Sequence, residues 1–333
     1  MYRLAPPLLA RLAEAAFWLA RYVERAENLA RVIDVNETFA RDSRGACNWS
    51  AIVALNADVV RFYARQSSAT ETTVLRFYIL DADNPTSILS SIRAARENAR
   101  SLRPHISTEL WSHLNTIYNW MLSLTEDDIA LPKISRLCSR IRESCQTHAG
   151  IADSTLYRDQ AWTFYQLGRW LERADQTTRL LDIKYHTLLP TVHDVGSPLD
   201  ASQWNAVLRS ASAYHAFRRV FPRDLAPGQV AEFLLFDARF PRSVSACVHN
   251  VALQLGELRR RFHLRQTGAV MESVDELSFL LAERQIEDVL NAGLHEFLDS
   301  LQARFAGVTR ELSDRFFVAA PVGGGGSVQE ATT

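Results

Sequence analysis

The residues of this sequence best suited to chemistry are arginines and glutamates set at helical spacing. In RYVERAENLARVID, starting at Arg21, a step of roughly 100° per residue gathers Arg21, Glu24, Arg25, Asn28 and Arg31 on an arc of about 120°. Trp18, Leu19, Tyr22, Ala26, Leu29 and Ile33 fill the opposite side. The pattern returns in RWLERADQTTRLLD as Arg169, Glu172, Arg173, Gln176 and Arg179, with Trp170, Ala174 and Leu181 on the apolar side. Guanidinium is a planar fork that grips carboxylate or phosphate through paired hydrogen bonds, and a neighbouring carboxylate orients it. Three uses fit such a face. It can contact a ligand; it can supply Glu24 or Glu172 as a general base with arginine as electrostatic stabiliser, provided one glutamate is buried with a raised pKa; or it can be a structural seam of helical ion pairs. A merely solvated face has no need to keep Glu and Arg at the same offsets in two distant copies. Seam and pocket both stay open.

A third helix, SILSSIRAARENAR at 87–100, places Arg93, Arg96, Glu97 and Arg100 on one arc, with Asn98 displaced. Three such faces are expected to converge in a helical bundle on an anion or peptide-carboxylate site. Further on, Arg239-Phe240-Pro241-Arg242-Ser243 sets two guanidinium groups around a proline, with Ser243 able to cap the next helix. Local pairing with Asp237 is the simpler reading of this turn, and an anion contact through Arg239 or Arg242 is the other.

Several constellations are missing. No histidine follows an acid at the Glu-x-x-His spacing of di-iron bundles, and there is no His-Glu-x-x-His, nucleophile elbow, Walker loop or dinucleotide fingerprint. The pairs Asp182/His186 and Glu109/His113 read as hydrogen-bonded pairs rather than ligands. Cys47, Cys138, Cys145 and Cys247 lack metal-type spacing, and Cys138 and Cys145 share a helix face, as buried reduced thiols would. The expectation is no metal and no cofactor. If ATP matters, another protein binds it.

The elements that must position these residues are helices. Four of the 13 glycines sit at Gly323, Gly324, Gly325 and Gly326, which leaves the rest of the 333-residue chain poor in turn residues. Apolar stripes of period 3.6 run through 51–65, 86–103, 106–124, 134–149, 154–188, 201–221, 242–263 and 271–304, and alternating patterns are nearly absent. This predicts an all-α fold, a bundle of about 10 helices over residues 1–320 with the duplicated motif on helices at 12–40 and 154–188. His193 to Asp200 reads as a linker, and 321–333 as a disordered Gly-rich tail. The third motif between the two copies, and the dissimilar segments around them, favour one integrated bundle over two equivalent halves. With 37 Lys+Arg against 38 Asp+Glu, the chain has no long-range field for nucleic acid or an anionic membrane. No segment reaches the roughly 18 apolar residues of a membrane span, and Met1 to Arg11 lacks a leader pattern, so a cytoplasmic location is expected.

Read in order, the residues carry a family resemblance. The opening Leu9-Ala-Arg11-Leu-Ala-Glu14-Ala-Ala-Phe17-Trp18-Leu19-Ala-Arg21-Tyr22-Val23-Glu24-Arg25-Ala26-Glu27-Asn28 resembles that of the alpha-E family. So do Asn84-Pro85-Thr86-Ser87-Ile88, Ala95-Arg96-Glu97-Asn98-Ala99-Arg100, Glu109-Leu110-Trp111, Leu114-Asn115, Leu171-Glu172-Arg173-Ala174-Asp175 and Phe240-Pro241-Arg242-Ser243-Val244. Leu12 and Ala15 depart from the Thr and Asn usual there, without touching the Arg21 to Arg31 face. The resemblance covers about residues 9 to 315. It implies a neighbour or fusion partner, a circularly permuted ATP-grasp protein, often accompanied by a transglutaminase-like protease, and a part in ATP-dependent synthesis or modification of peptides or amide bonds. It brings no proven catalytic residue. The chain is then expected to hold a carboxylate, peptide or aminoacyl group on Arg21, Arg25, Asn28, Arg93, Arg96, Glu97, Arg100, Arg169, Arg173 and Arg242 while the partner supplies acyl-phosphate chemistry.

Overall fold

The computed structural model describes residues 8–42, 49–187, 198–223 and 225–318. The tail at 321–333, most of the expected linker, and Cys47 lie outside the described residues. The first part of the chain forms α1 (Ala10–Asp42), α2 (Ser50–Leu55), α3 (Val59–Tyr63), α4 (Glu71–Ile79), α5 (Ile88–Ser101), α6 (Thr108–Leu122), a 3-10 turn at Glu126–Ile129, and α7 (Leu131–Thr155). The second forms α8 (Gln160–Thr187), α9 (Pro198–Ser210), α10 (Tyr214–Val220), α11 (Pro227–Phe236), α12 (Val244–Arg260), α13 (Gly268–Glu283), α14 (Ile286–Ala292) and α15 (Leu294–Leu312). No strand occurs among the described residues.

The all-α expectation holds, with fifteen α-helices in place of about ten. The surplus comes from apolar runs that periodicity reads as continuous. The 51–65 run breaks at Ala57 and the 201–221 run at Ser212, both at φ 56°, and the 271–304 run breaks after Glu283 and again at Gly293, φ 110°. Alanine and serine seldom enter the left-handed region, so composition gave no warning at the first two.

The two parts repeat each other element by element, α1 to α7 answered by α8 to α15, with α14 in the place of the 3-10 turn. Backbone detail repeats as well. The Asp58 N–H bonds Val53 O at 3.0 Å around Ala57, and the Ala213 N–H bonds Leu208 O at 2.7 Å around Ser212. Ser87 caps α5 by accepting from Ser90 N–H at 3.0 Å, and Ser243 caps α12 by accepting from Ala246 N–H at 3.1 Å. Their hydroxyls donate back to Asp81 O and Asp237 O, at 2.7 and 2.6 Å. The segments around the two copies look dissimilar as letters because packing demands little more than a cap, a turn and apolar volume at fixed places.

The two parts share one continuous apolar core. At its centre α1 and α8 lie side by side and parallel. Asn28 meets Gln176, 148 residues on, and the Leu8 N–H donates to Gln160 Oε1 near the shared N-terminal end. Close approach is possible because Gly168 faces the Phe17 backbone; a Cβ built there would overlap the Phe17 carbonyl. Outside this pair, α5 and α7 cover α1 while α12 and α15 cover α8. The short helices are exchanged: α2 packs on α8 and α9 packs on α1.

Candidate functional site: a reciprocal Glu/Arg lattice and the pocket beside it

The structure alters the reading of the ERA helices in one respect. Neither is two-faced: α1 and α8 are covered almost all round, and Arg21, Glu24, Glu27, Asn28, Arg31, Glu172, Arg173 and Gln176 are all buried. The polar arcs face each other, which excludes the solvated face.

Each Glu-Arg pair is completed by the other copy. Glu172 receives Arg21 Nε at 2.5 Å and Arg25 Nε and Nη2 at 2.8 and 3.1 Å. Glu24 receives Arg173 through both Nε and Nη2, with Arg169 Nε 3.7 Å away. On the approximate two-fold axis Asn28 donates to Gln176 at 2.7 Å, and Gln176 donates to Glu172 at 3.0 Å. One turn further, Arg31 binds Glu27 and reaches Ser210 O, while Arg179 binds Asp175 and reaches Leu55 O at 2.8 Å. Burial alone would raise the pKa values of Glu172 and Glu27, but the arginines outweigh it. Arg21 and Arg25 hold Glu172 far below the usual carboxylate range, and Arg242 with Arg31 brings Glu27 down to about 2. A general base needs the opposite shift. Glu172 therefore lacks the raised pKa on which a base role depends, and Arg173 occupies both oxygens of Glu24.

The lattice is not closed on both sides. Beside Glu172 lies a cavity of about 200 Å³ lined by Arg21, Arg25, Leu29, Asn56, Thr86, Glu172, Asp175, Gln176, Arg179, Gln302, Phe305 and Ala306. Arg21 bonds Thr309 Oγ1 through Nη1, and Arg25 spends Nε and Nη2 on Glu172. Arg21 Nη2 and Arg25 Nη1 have no protein partner among the described residues. Three guanidinium groups against two carboxylates leave the lining one positive charge in excess. A larger cavity of about 560 Å³ lies near the C-terminal end of α1 between α7, α9 and α10. There Asp34 is taken by Arg142 at 3.0 Å and Ser135 at 2.5 Å.

The other expected site residues divide. Arg242 joins the lattice, bound to Glu27 and 3.8 Å from Glu24. Burial, with repulsion from Arg173 and Arg31, lowers its own pKa to about 10. The expected convergence of the third helix does not occur. Arg93 donates to Ala82 O, Arg96 bonds Asn115 and Glu97 and lies over Trp111 and Tyr118, and Arg100 pairs with Glu97 on the outer face of α5. The apolar side of α5 faces α1 instead, as Ile88, Ile92, Ala95 and Ala99 dictate. Arg239 is exposed and pairs with Asp237. Sequence reasoning passed over Glu27 and Asp175, although the acid repeats in ERAE and ERAD. It also missed Thr86, Gln302 and Phe305, which only the packing of distant helices brings together.

Cys138, Cys145 and Cys247 are buried free thiols. Of the two expected His–acid pairs, the His186 side chain lies outside the described residues, and His113 bonds Ser144 O. Asp182 is bonded by His295 Nδ1 at 2.8 Å, and these two with Asp299 bring ligand-type atoms within 4.8 Å of one another. Among the described residues no helix is long and apolar enough to cross a membrane.

A family model described as a predicted alpha-helical domain with a conserved ER motif, Alpha-E, matches residues 8–317. The chain belongs to the Alpha-E family. The matched range contains three Glu-Arg dipeptides, Glu24-Arg25, Glu172-Arg173 and Glu283-Arg284, of which the first two cross-bind. Among curated proteins the domain is similar to uncharacterized proteins of Mycobacterium bovis and Mycobacterium tuberculosis, 23% identical over 330 residues, 91% of this chain. The alignment covers 36% of each relative, so the chain spans little more than a third of their length. No solved structure matches it.

Proposed function

We propose that this Alpha-E chain is the helical partner of an ATP-grasp ligase system for peptide or amide-bond synthesis or modification, and that it holds a carboxylate, peptide or aminoacyl group on arginines of the ERA helices. The observation that carries this reading is the open pocket beside Glu172, where the Arg21 and Arg25 guanidinium groups keep donors with no protein partner among the described residues. Glu172 fixes those guanidiniums before any ligand arrives, which spares the ordering cost of binding. The family resemblance supplies the partner, a circularly permuted ATP-grasp protein, and the length of the mycobacterial relatives is consistent with a helical unit that works beside other domains. A second reading, a scaffold in which the lattice only locks α1 to α8, is favoured by the closed ion pairs around Glu24. A stand-alone enzyme with a glutamate base has no such observation behind it.

The test is to purify the chain with a circularly permuted ATP-grasp protein from the same genome and follow peptide-dependent ADP release and product formation. The chain should raise both. Arg25→Gln, which removes one charged hydrogen-bond donor from the pocket, should lower them about tenfold or more at limiting peptide. Turnover and product indifferent to the chain would remove the partner reading, and product formed by the chain alone would elevate the enzyme reading.

A further inference from the structure

The repeat supplies an internal control for the pocket. The positions around it have counterparts beside Glu24, and there larger side chains stand in the places of Thr86 and Ala306. Thr86, in Asp81-Ala-Asp-Asn-Pro-Thr-Ser87, corresponds to Arg242 in Asp237-Ala-Arg-Phe-Pro-Arg-Ser243, and the shared caps and turns put both at the same point of the fold. Arg242 drives its guanidinium onto Glu27, the counterpart of Asp175. Ala306 corresponds to Gln146, whose amide donates to Glu27 at 3.3 Å. The Arg173 side chain is 8% exposed, whereas its counterpart Arg25 is 26% exposed; for Arg169 and its counterpart Arg21 the values are 14% and 10%.

We infer that the duplicated fold carries one working anion site and one permanently plugged copy of it: the pocket at Arg21, Arg25 and Arg179 binds a single carboxylate group, and beside Glu24 the Arg242 side chain, held on Glu27, takes up the matching space together with Gln146. The ligand class follows from the lining. One excess positive charge matches one carboxylate, and about 200 Å³ takes the end of a molecule, with Phe305 and Leu29 as an apolar wall. Thr86 and Ala306 are the residues that keep the site open. The inference rests on the proposed carboxylate role but does not depend on an ATP-grasp partner.

The experiment uses the full chain alone. With arginine side chains labelled with 15N, their Nε–Hε signals are titrated with N-acetylglycine and, as the uncharged control, with N-acetylglycinamide. The acid should give saturable shifts of Arg25 and Arg21 and the amide none. Ala306→Gln and Ala306→Met, each filling the pocket without adding charge, should weaken acid binding about tenfold or more while circular dichroism shows an unchanged fold. Both leave the Thr86 hydroxyl bonds to Asp58 and Asn84 in place. The double variant Arg242→Thr, Gln146→Ala should gain a second set of shifts, at Arg173. Equal responses to acid and amide, or folded plugged variants that bind like the original chain, overturn the inference. Acid binding without any effect of the chain on ATP turnover would leave the inference standing and remove the partner reading alone.

Discussion

Glu172 concentrates the electrostatics of the lattice in one side chain. It is fully buried and neutralises two arginines, so removing it strands both guanidiniums. Breaking a buried pair by deleting one partner costs about 3–5 kcal/mol, and Glu172→Ala should lower the unfolding free energy in urea by that order. The same carboxylates predict acid lability. Glu27 moves from 4.5 to about 2 on folding and Glu172 moves down as well. A depressed carboxyl pKa contributes stability that is complete above the unfolded value and is lost as pH falls through the folded one. Unfolding free energy should therefore hold above about pH 5 and fall steeply towards pH 2, with a shallower fall in Glu172→Ala. At this scale the sequence was informative about identity and poor about partners. The repeated Arg, Glu and Asn/Gln positions marked the residues that matter. Nothing in a single helix says whether its Glu binds its own i+4 arginine or one 147 or 149 residues away.

At the scale of elements, the close parallel contact of α1 and α8 is what lets short side chains such as Asn28 and Gln176 meet across it. Gly168 sets that distance, and its counterpart in α1 is the small Ala20. Gly168→Ala would normally favour a helix by about 1 kcal/mol. Here the new methyl would overlap the Phe17 carbonyl, push the helices apart and lengthen every cross-helix ion pair. The variant should be less stable than the parent in thermal melts, and an equal or higher melting temperature would refute the tight contact. Helices, the cap at Ser243, and the cysteine face of α7 were legible because caps and period-3.6 stripes are local signals. The parallel pairing was not, because a face of Arg and Glu reads as surface unless the oppositely charged face that covers it is known. The same gap misplaced α5, whose arginines look like those of α1 but sit on its outer side.

For the whole molecule, the exchange of α2 and α9 and the single core mean that neither half buries its own centre. Thermal or urea unfolding followed by far-ultraviolet circular dichroism and by tryptophan fluorescence should give one coincident transition. Two separated transitions would show halves that stand alone. One integrated fold was the sequence expectation, yet it was argued from dissimilarity between the halves, whereas the structure shows them matched throughout and interlocked.

That interlocking is the geometry of an isologous dimer, in which a patch on one protomer meets the same patch on its mate. Here the two protomers are successive stretches of one polypeptide, joined between Thr155 and Gln160. Association between separate chains depends on their concentration, and joining them removes that dependence. It also removes the symmetry that identical subunits impose on every substitution. A homodimer with arginine at the plug position would have it in both sites; a fused pair can keep arginine at 242 and threonine at 86, and so hold one site shut while the other stays free.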